Sequence, residues 1–268
     1  MKLALVIPTY TMHFIYLNQL CQNISEQTRL PDLVVIRASS CDSVAAKQVL
    51  DLVLAERWPF PLQILHTPAQ QYQAQNRNEG AAAVPPEFDI ISFFDSDDLM
   101  HPRRLEILES IFLEGAEAVI HGYIMGEAAP EWEIYDTPPR HVWDSILLQK
   151  ESAIQVGNQI FSRSEILKGY PGMIPTGKEI TFLRPIPMDE ELEQDLGAQL
   201  GHVSIAARLL KTMRFDEDAL GYEDAKFVSD IVLNRYRTAT VCAKLSLYRV
   251  GSGLSVSTTT SSGSGYSE

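Results

Sequence analysis

The sequence predicts an α/β fold, a mostly parallel central sheet with helices on both faces. Three observations predict it. Short β-prone runs alternate with amphipathic segments through the first half of the chain, the order that joins parallel strands by helical crossovers. Runs such as Ile90-Ile91-Ser92-Phe93-Phe94 are apolar almost throughout, as a strand covered on both faces requires. Directly after that run stands Asp95-Ser96-Asp97-Asp98, which puts three carboxylates at a strand's C-terminal end, where open α/β sheets bind ligands.

In chain order, residues 3–7 read as the first buried strand, and Leu17, Leu20, Cys21 and Ile24 mark one face of the helix that follows. A strand over 33–36, a helix over 44–54, a strand over 62–65, a helix over about 74–83 and a strand over 89–94 continue the alternation. Pro102 fits the first turn of the next helix, whose apolar positions Leu105, Leu108, Ile111 and Phe112 recur at helical spacing before the C-cap Gly115. Residues 118–123 and 159–161 read as further strands. The Pro- and Gly-rich stretch over about 169–190, with Lys178 and Arg184, reads as a long loop able to order over a ligand. Phe227, Val228, Ile231 and Val232 define the buried face of a late helix, with Glu223 and Asp224 in or just before its first turn. Tyr248-Arg249 follow the last strand-like segment, and residues 257–268, rich in Ser, Thr and Gly, read as a disordered tail.

At 268 residues and 45% hydrophobic content the chain can bury a substantial core. A formal charge of −13 excludes a nucleic-acid phosphate surface and a polybasic membrane anchor, both of which need clustered Lys and Arg. Three cysteines, 21, 41 and 242, have neither metal-ligand spacing nor an even count, which fits a reducing compartment, the cytoplasm. The apolar start is too short for a signal segment, and no stretch has the length of a transmembrane span.

Like charges as close as those of Asp95, Asp97 and Asp98 repel unless something positive joins them. A divalent cation carrying a diphosphate is one partner; a solvated turn capping the next helix is the alternative. Glu223 and Asp224 likewise admit two readings, a general base or a helix cap.

Together, Val6-Ile7-Pro8-Thr9-Tyr10, Asn76-Arg77-Asn78-Glu79-Gly80-Ala81-Ala82-Ala83, Asp95-Ser96-Asp97-Asp98 and Gly221-Tyr222-Glu223-Asp224 resemble the inverting glycosyltransferases of family 2. The resemblance runs from Leu3 to about Ser255 and implies a GT-A fold, Rossmann-like, in one domain over 1–256. About 1–100 would hold the nucleotide and about 101–256 the acceptor. It implies that Asp98 binds Mg²⁺ or Mn²⁺ on the donor diphosphate and that Asp97 contacts the ribose. Asp95 supports the nucleotide, and Arg77 and Asn78 reach nucleotide or phosphate oxygens; a surface salt bridge from Arg77 to Glu79 or Asp97 is the alternative. Pro8, Thr9 and Tyr10 line the nucleotide pocket. Asp224 is the general base, Glu223 binds acceptor hydroxyls, and His202 is either a ligand contact near the acceptor side or, as a lone histidine more often is, structural.

Two departures bear on the donor. The family frequently has a histidine shortly after Tyr-Arg, where this chain has Val250-Gly251-Ser252-Gly253, so that ligand is missing and metal affinity is weak without nucleotide. It also commonly ends its second strand with Asp-Asp-Gly-Ser, where this chain has Arg37-Ala38-Ser39-Ser40. A UDP-sugar is the donor the resemblance implies, but losing a carboxylate for the uracil imide leaves the base open. Arg37 would stack on a base, meet phosphate or sit as a surface cation. The acceptor is a saccharide, a lipid-linked group or a protein, and a lipid-linked one would bring the enzyme to a membrane surface. Two rivals remain at this level, a nucleotidyltransferase and a non-catalytic nucleotide-sugar or glycan-binding module.

Overall fold

The computed structural model describes residues 1–156, 159–162, 177–187 and 200–249. The chain begins with β1 (Leu3–Tyr10), α1 (Phe14–Ser25), β2 (Leu33–Ser39), α2 (Val44–Ala55), β3 (Leu62–His66), α3 (Gln73–Ala82) and β4 (Ile90–Phe93). It continues through β5 (Leu99–Met100), α4 (Arg104–Leu113), β6 (Ala118–Gly126), β7 (His141–Trp143), β8 (Ile146–Val156), β9 (Gln159–Ser162) and β10 (Lys178–Pro187). The last elements are β11 (Ser204–Ala206), α5 (Glu223–Leu233) and β12 (Thr238–Arg249).

One large sheet runs β3-β2-β1-β4-β11-β6-β12-β5, with β7 also paired to β12. β3, β2, β1 and β4 are mutually parallel, β12 is parallel to β6, and β11 is antiparallel to both its neighbours. The crossovers through α1 and α2 move outward from β1 to β3, while α3 returns the chain past β2 and β1 to β4. Because such crossovers are right-handed, α1 and α2 fall on one face and α3 on the other. Covered on both sides, Leu3, Ala4, Leu5, Val6 and Ile7 of β1 all have no exposed surface, which is why the strand is apolar at each position from Leu3 to Ile7. Gly115 ends α4 as the sequence predicts, with φ of 95° and its N–H donated to Phe112 O at 3.0 Å.

Two expectations change. Within the stretch read as a loop, residues 178–187 form β10, which pairs antiparallel with β8 in a second sheet ordered β10-β8-β9. Ile180, Thr181, Phe182 and Leu183 supply β propensity there, and Pro185 and Pro187 are tolerated because β10 is an edge strand. Arg184 on this strand pairs with Glu151 at 3.4 Å; residues 169–176 and 188–190 lie outside the described residues, as does the tail 257–268. Tyr248 and Arg249 lie within β12 rather than beyond it. Among the described residues no helix is long and apolar enough to cross a membrane.

Candidate active site

Strand order reverses at β1, with β2 on one side and β4 on the other, and the crevice beyond these strand ends collects most of the residues singled out in the sequence. Pro8 and Thr9 are buried at the end of β1. Tyr10 tilts against the ring of His13, centroids 4.3 Å apart, and His13 Nδ1 lies 3.7 Å from Asp97 Oδ1. Sequence reasoning missed His13, because a lone histidine before a helix carries no local signal. Asn76 donates to Ser39 Oγ at 3.0 Å and ties α3 to the end of β2. Arg37 neither stacks nor faces solvent as a free cation. It is buried, and donates to Glu79 Oε2 at 2.7 Å and Gln71 Oε1 at 3.0 Å.

The acidic turn after β4 is fixed by the far end of the chain. Pairing of β5 with β12 brings Arg249 over the turn, where its N–H donates to Asp98 Oδ1 at 2.8 Å and its Nε to Asp97 O at 2.7 Å. The guanidinium also lies over the Tyr16 ring, 4.6 Å from its centroid. Burial first, then the neighbouring Asp98 charge, pushes the Asp97 carboxyl up to about 6, against the opposing pull of His13.

His202, which the resemblance put near the acceptor, lies against the carboxylates of the acidic turn. The segment leading into β11 is drawn along β4, with Phe93 N–H donating to Val203 O at 3.0 Å, so His202 lands beneath the acidic turn. Its Nε2 is 3.1 Å from Asp98 Oδ2 and 3.7 Å from Asp95 Oδ2, and the ring is fully buried, stacked on Phe94 with centroids 4.0 Å apart. Arg104, equally buried, donates to the His202 carbonyl at 2.9 Å and to His121 Nε2 at 2.9 Å.

Arg77 is no surface residue and pairs with neither Glu79 nor Asp97. Its guanidinium is 1% exposed, with Nη2 2.9 Å from Asp95 Oδ1 and Nη1 2.8 Å from Glu223 Oε1. It therefore joins the end of β4 to the start of α5. Asn78, expected beside it at the nucleotide, instead uses its amide on Phe215, accepting from N–H and donating to O, both at 2.9 Å. Gly201 lies at the centre of this group: a Cβ there would sit 3.0 Å from Asp95 Oδ2, 3.1 Å from Arg77 Nη2 and 3.8 Å from Asp224 Oδ2. The backbone must be bare at that point.

Gly221, with φ of 80°, turns the chain so that Glu223 and Asp224 open α5. Asp224 Oδ1 accepts the Ala225 N–H at 2.7 Å, while no side chain caps the helix from Tyr222. Burial, helped by the Asp224 charge and opposed by Arg77, pushes the Glu223 carboxyl up to about 7. Burial raises Asp224 as well, with Arg77 opposing. Asp224 still keeps some exposed surface. A crowded carboxylate pair that gains a proton near neutrality, with an opening to solvent, has the properties of a general base.

Asp95, Asp98 and His202 each present a ligand atom, all within 4.8 Å of one another. This donor set fits a divalent cation, which would also relieve the Asp98 repulsion that adds to burial in raising the Asp97 carboxyl. A cavity of about 270 Å³ lined by Asp144, Ile146, Val232, Arg235, Tyr236 and Thr238 lies at the opposite end of α5, away from this chemistry.

Comparison with curated proteins finds no match. Among crystal structures, S. aureus TarS 1-349 in complex with UDP is 16% identical over 94% of this chain and 61% of that one, with a TM-score of 0.55. The same protein in complex with UDP-GlcNAc is 16% identical over 94% and 60%, TM-score 0.56, and S. aureus TarS is 16% identical over 93% and 37%, TM-score 0.56. The chain thus spans about 60% of the length of TarS 1-349, and the likeness is one of fold, GT-A. The glycosyl transferase family 2 pattern matches residues 4–170, well over half of the sequence and all of the chain from β1 to β9. The chain belongs to glycosyl transferase family 2.

Proposed function

We propose that the chain is an inverting glycosyltransferase that moves a sugar from a nucleotide diphosphate donor to a hydroxyl acceptor. One observation carries the reading: Arg77 holds the carboxylate at the end of β4 and the carboxylate pair opening α5 in one buried group. Donor-side and acceptor-side chemistry are thereby set face to face, as single displacement needs. The donor half would be about residues 1–100 and the acceptor half about 101–256 of one domain.

Asp224 takes the acceptor hydroxyl proton while that oxygen bonds to the anomeric carbon and the bond from carbon to diphosphate oxygen breaks. Such a base contributes roughly 10²–10⁴ in rate. Glu223, held by Arg77, positions the pair and meets acceptor hydroxyls. Thr9, Tyr10 and His13 form the nucleotide wall, and Asp97 receives the ribose. Asp98, with Asp95 behind it, would hold Mg²⁺ or Mn²⁺, which supplies charge neutralisation for the departing diphosphate. TarS is seen with UDP and with UDP-GlcNAc, which supports a UDP-sugar here. The Arg37–Glu79 pair leaves no carboxylate from the end of β2 to accept the uracil imide, so selection of the base falls to other groups. Free thiols at Cys21, Cys41 and Cys242 suit a reducing compartment such as the cytoplasm.

The test is a screen of nucleotide diphosphate sugars with Mg²⁺ or Mn²⁺ for thermal stabilisation, followed by turnover and the anomeric configuration of the product. Asp224→Asn is expected to keep donor binding and lose about 10²-fold or more in turnover. Donor binding with no hydrolysis or transfer by the native chain would favour a binding module, and unchanged turnover in Asp224→Asn would remove the base.

A further inference from the structure

We propose that His202 supplies, through Nε2, a nitrogen ligand to the divalent cation beside Asp98 Oδ2 and Asp95 Oδ2, and that this ligand selects Mn²⁺ over Mg²⁺. The inference rests on the metal-dependent reading above and adds the ligand and the ion.

The oxygens of the two carboxylates are already divided. Asp95 turns Oδ1 to Arg77 and Asp98 turns Oδ1 to the Arg249 N–H, which leaves the Oδ2 atom of each facing His202 Nε2, at 3.7 and 3.1 Å. The imidazole has no exposed surface, yet neither ring nitrogen has a hydrogen-bond partner among the described residues. A buried polar group left so is costly unless something else meets it, and a cation between the nitrogen and two carboxylate oxygens would meet it. The ring cannot swing away. Phe94 stacks on one face and Arg104 grips the carbonyl of the same residue.

Access comes from the crevice: Asp95 and Asp97 above it keep 15% and 13% of their side-chain surface. A Cβ at Gly201 would lie 3.0 Å from Asp95 Oδ2, so a side chain there would crowd that oxygen. Together these residues place an imidazole at the cation from the 3-10 turn Leu200–His202 that leads into β11, although the segment after Tyr248-Arg249 brings none. Mg²⁺ demands a near-ideal octahedron of oxygens and gives up water reluctantly, whereas Mn²⁺, also an ion of carboxylate and water sites, is the first member of the transition series that binds sites containing nitrogen, so one imidazole among oxygens favours Mn²⁺ over Mg²⁺.

The experiment is pulsed EPR of Mn²⁺ bound to the full chain with UDP, alongside titrations of Mn²⁺ and Mg²⁺ in the presence of UDP. A ¹⁴N modulation from a directly bound imidazole is expected in the native protein and in His13→Gln, and not in His202→Gln. The preference for Mn²⁺ over Mg²⁺ should fall at least about tenfold in His202→Gln, the scale seen even for groups one shell further out. Should His202→Gln fail to fold, native protein carrying ¹⁵N-histidine decides: the modulation must change isotope and persist in His13→Gln. Mn²⁺ bound with UDP but without nitrogen modulation, or with modulation that survives in His202→Gln or vanishes in His13→Gln, overturns the ligand while leaving glycosyl transfer intact. Failure of Mn²⁺ and Mg²⁺ to bind with UDP at all would overturn metal dependence with it.

Discussion

Arg77 lies fully buried with its guanidinium divided between Asp95 and Glu223, and both carboxylates are themselves largely enclosed. Removing one member of such a group leaves the others charged and unpaired in a poor solvent, typically at a cost of about 3–5 kcal/mol. Arg77→Met is therefore expected to lower the urea midpoint by an amount in that range and to slow turnover. It should also move the acid limb of the rate profile, where activity rises as the base loses its proton, to higher pH, because the positive charge now pulls Glu223 and Asp224 downward. A variant with native stability and an unmoved profile would show that the guanidinium is not coupled to the pair. The sequence named Arg77 but not the side chains that hold it. Its partners lie 18 and 146 positions away, a separation no local pattern encodes. His13 and His202 escaped or were misplaced for the same reason, since only packing against the turn after β4 gives them a role.

At the scale of elements, α3 carries Arg77 and lies close against β1, and Gly80 permits the approach. A Cβ there would stand 2.7 Å from Val6 Cγ1, a branched side chain with no exposed surface in the centre of the sheet. Alanine is the better helix former by about 1 kcal/mol, but overpacking costs about 1–3 kcal/mol. Gly80→Ala is expected to destabilise, read as a lower urea midpoint at unchanged slope, and a variant as stable as the native chain would mean that α3 can shift. Elements with strong periodicity were legible: strands β1 to β4, helices α1 to α5 and the glycine cap of α4 fall within a few residues of their predicted places. Of the second sheet only β9, read as a strand over 159–161, was legible. β8 mixes exposed and buried residues along its length without regular alternation, and β10 contains two prolines, so both take their strand form from pairing with each other.

For the whole molecule the crowded carboxylates set the response to pH. Glu223 goes from 4.5 to about 7 on folding and Asp224 is raised as well, so the folded chain holds protons that the unfolded chain releases. That contribution is complete below about 4.5 and is lost as pH rises toward 7. Asp32, Glu106 and Glu109 run the other way, Asp32 lowered by the Leu3 N–H and then Arg29, Glu106 by Arg103 and Glu109 by Arg29, against the cost of burial; their contribution exists above the usual carboxylate range and is lost on acidification. Glu223→Gln is expected to flatten the decline in unfolding free energy between about pH 5 and 7, measured by urea titration across that range. Parallel profiles for variant and native chain would contradict it. The ionised base that transfer requires is then bought with stability, and a cation with nucleotide should offset part of the loss by binding the folded state alone.

By itself the sequence determined the α/β class, the order of the principal strands and helices, and two carboxylate groups at element ends, because each of these is written in residues close together along the chain. Tertiary structure decided which of those groups meet. The grouping of Asp95, Arg77 and Glu223, the His202 ring under Asp98, and the bare backbone at Gly201 arise where strand order reverses and where β11 is inserted beside β4. Those contacts are fixed by burial and pairing between distant segments, and their chemistry exists only once the sheet has closed around them.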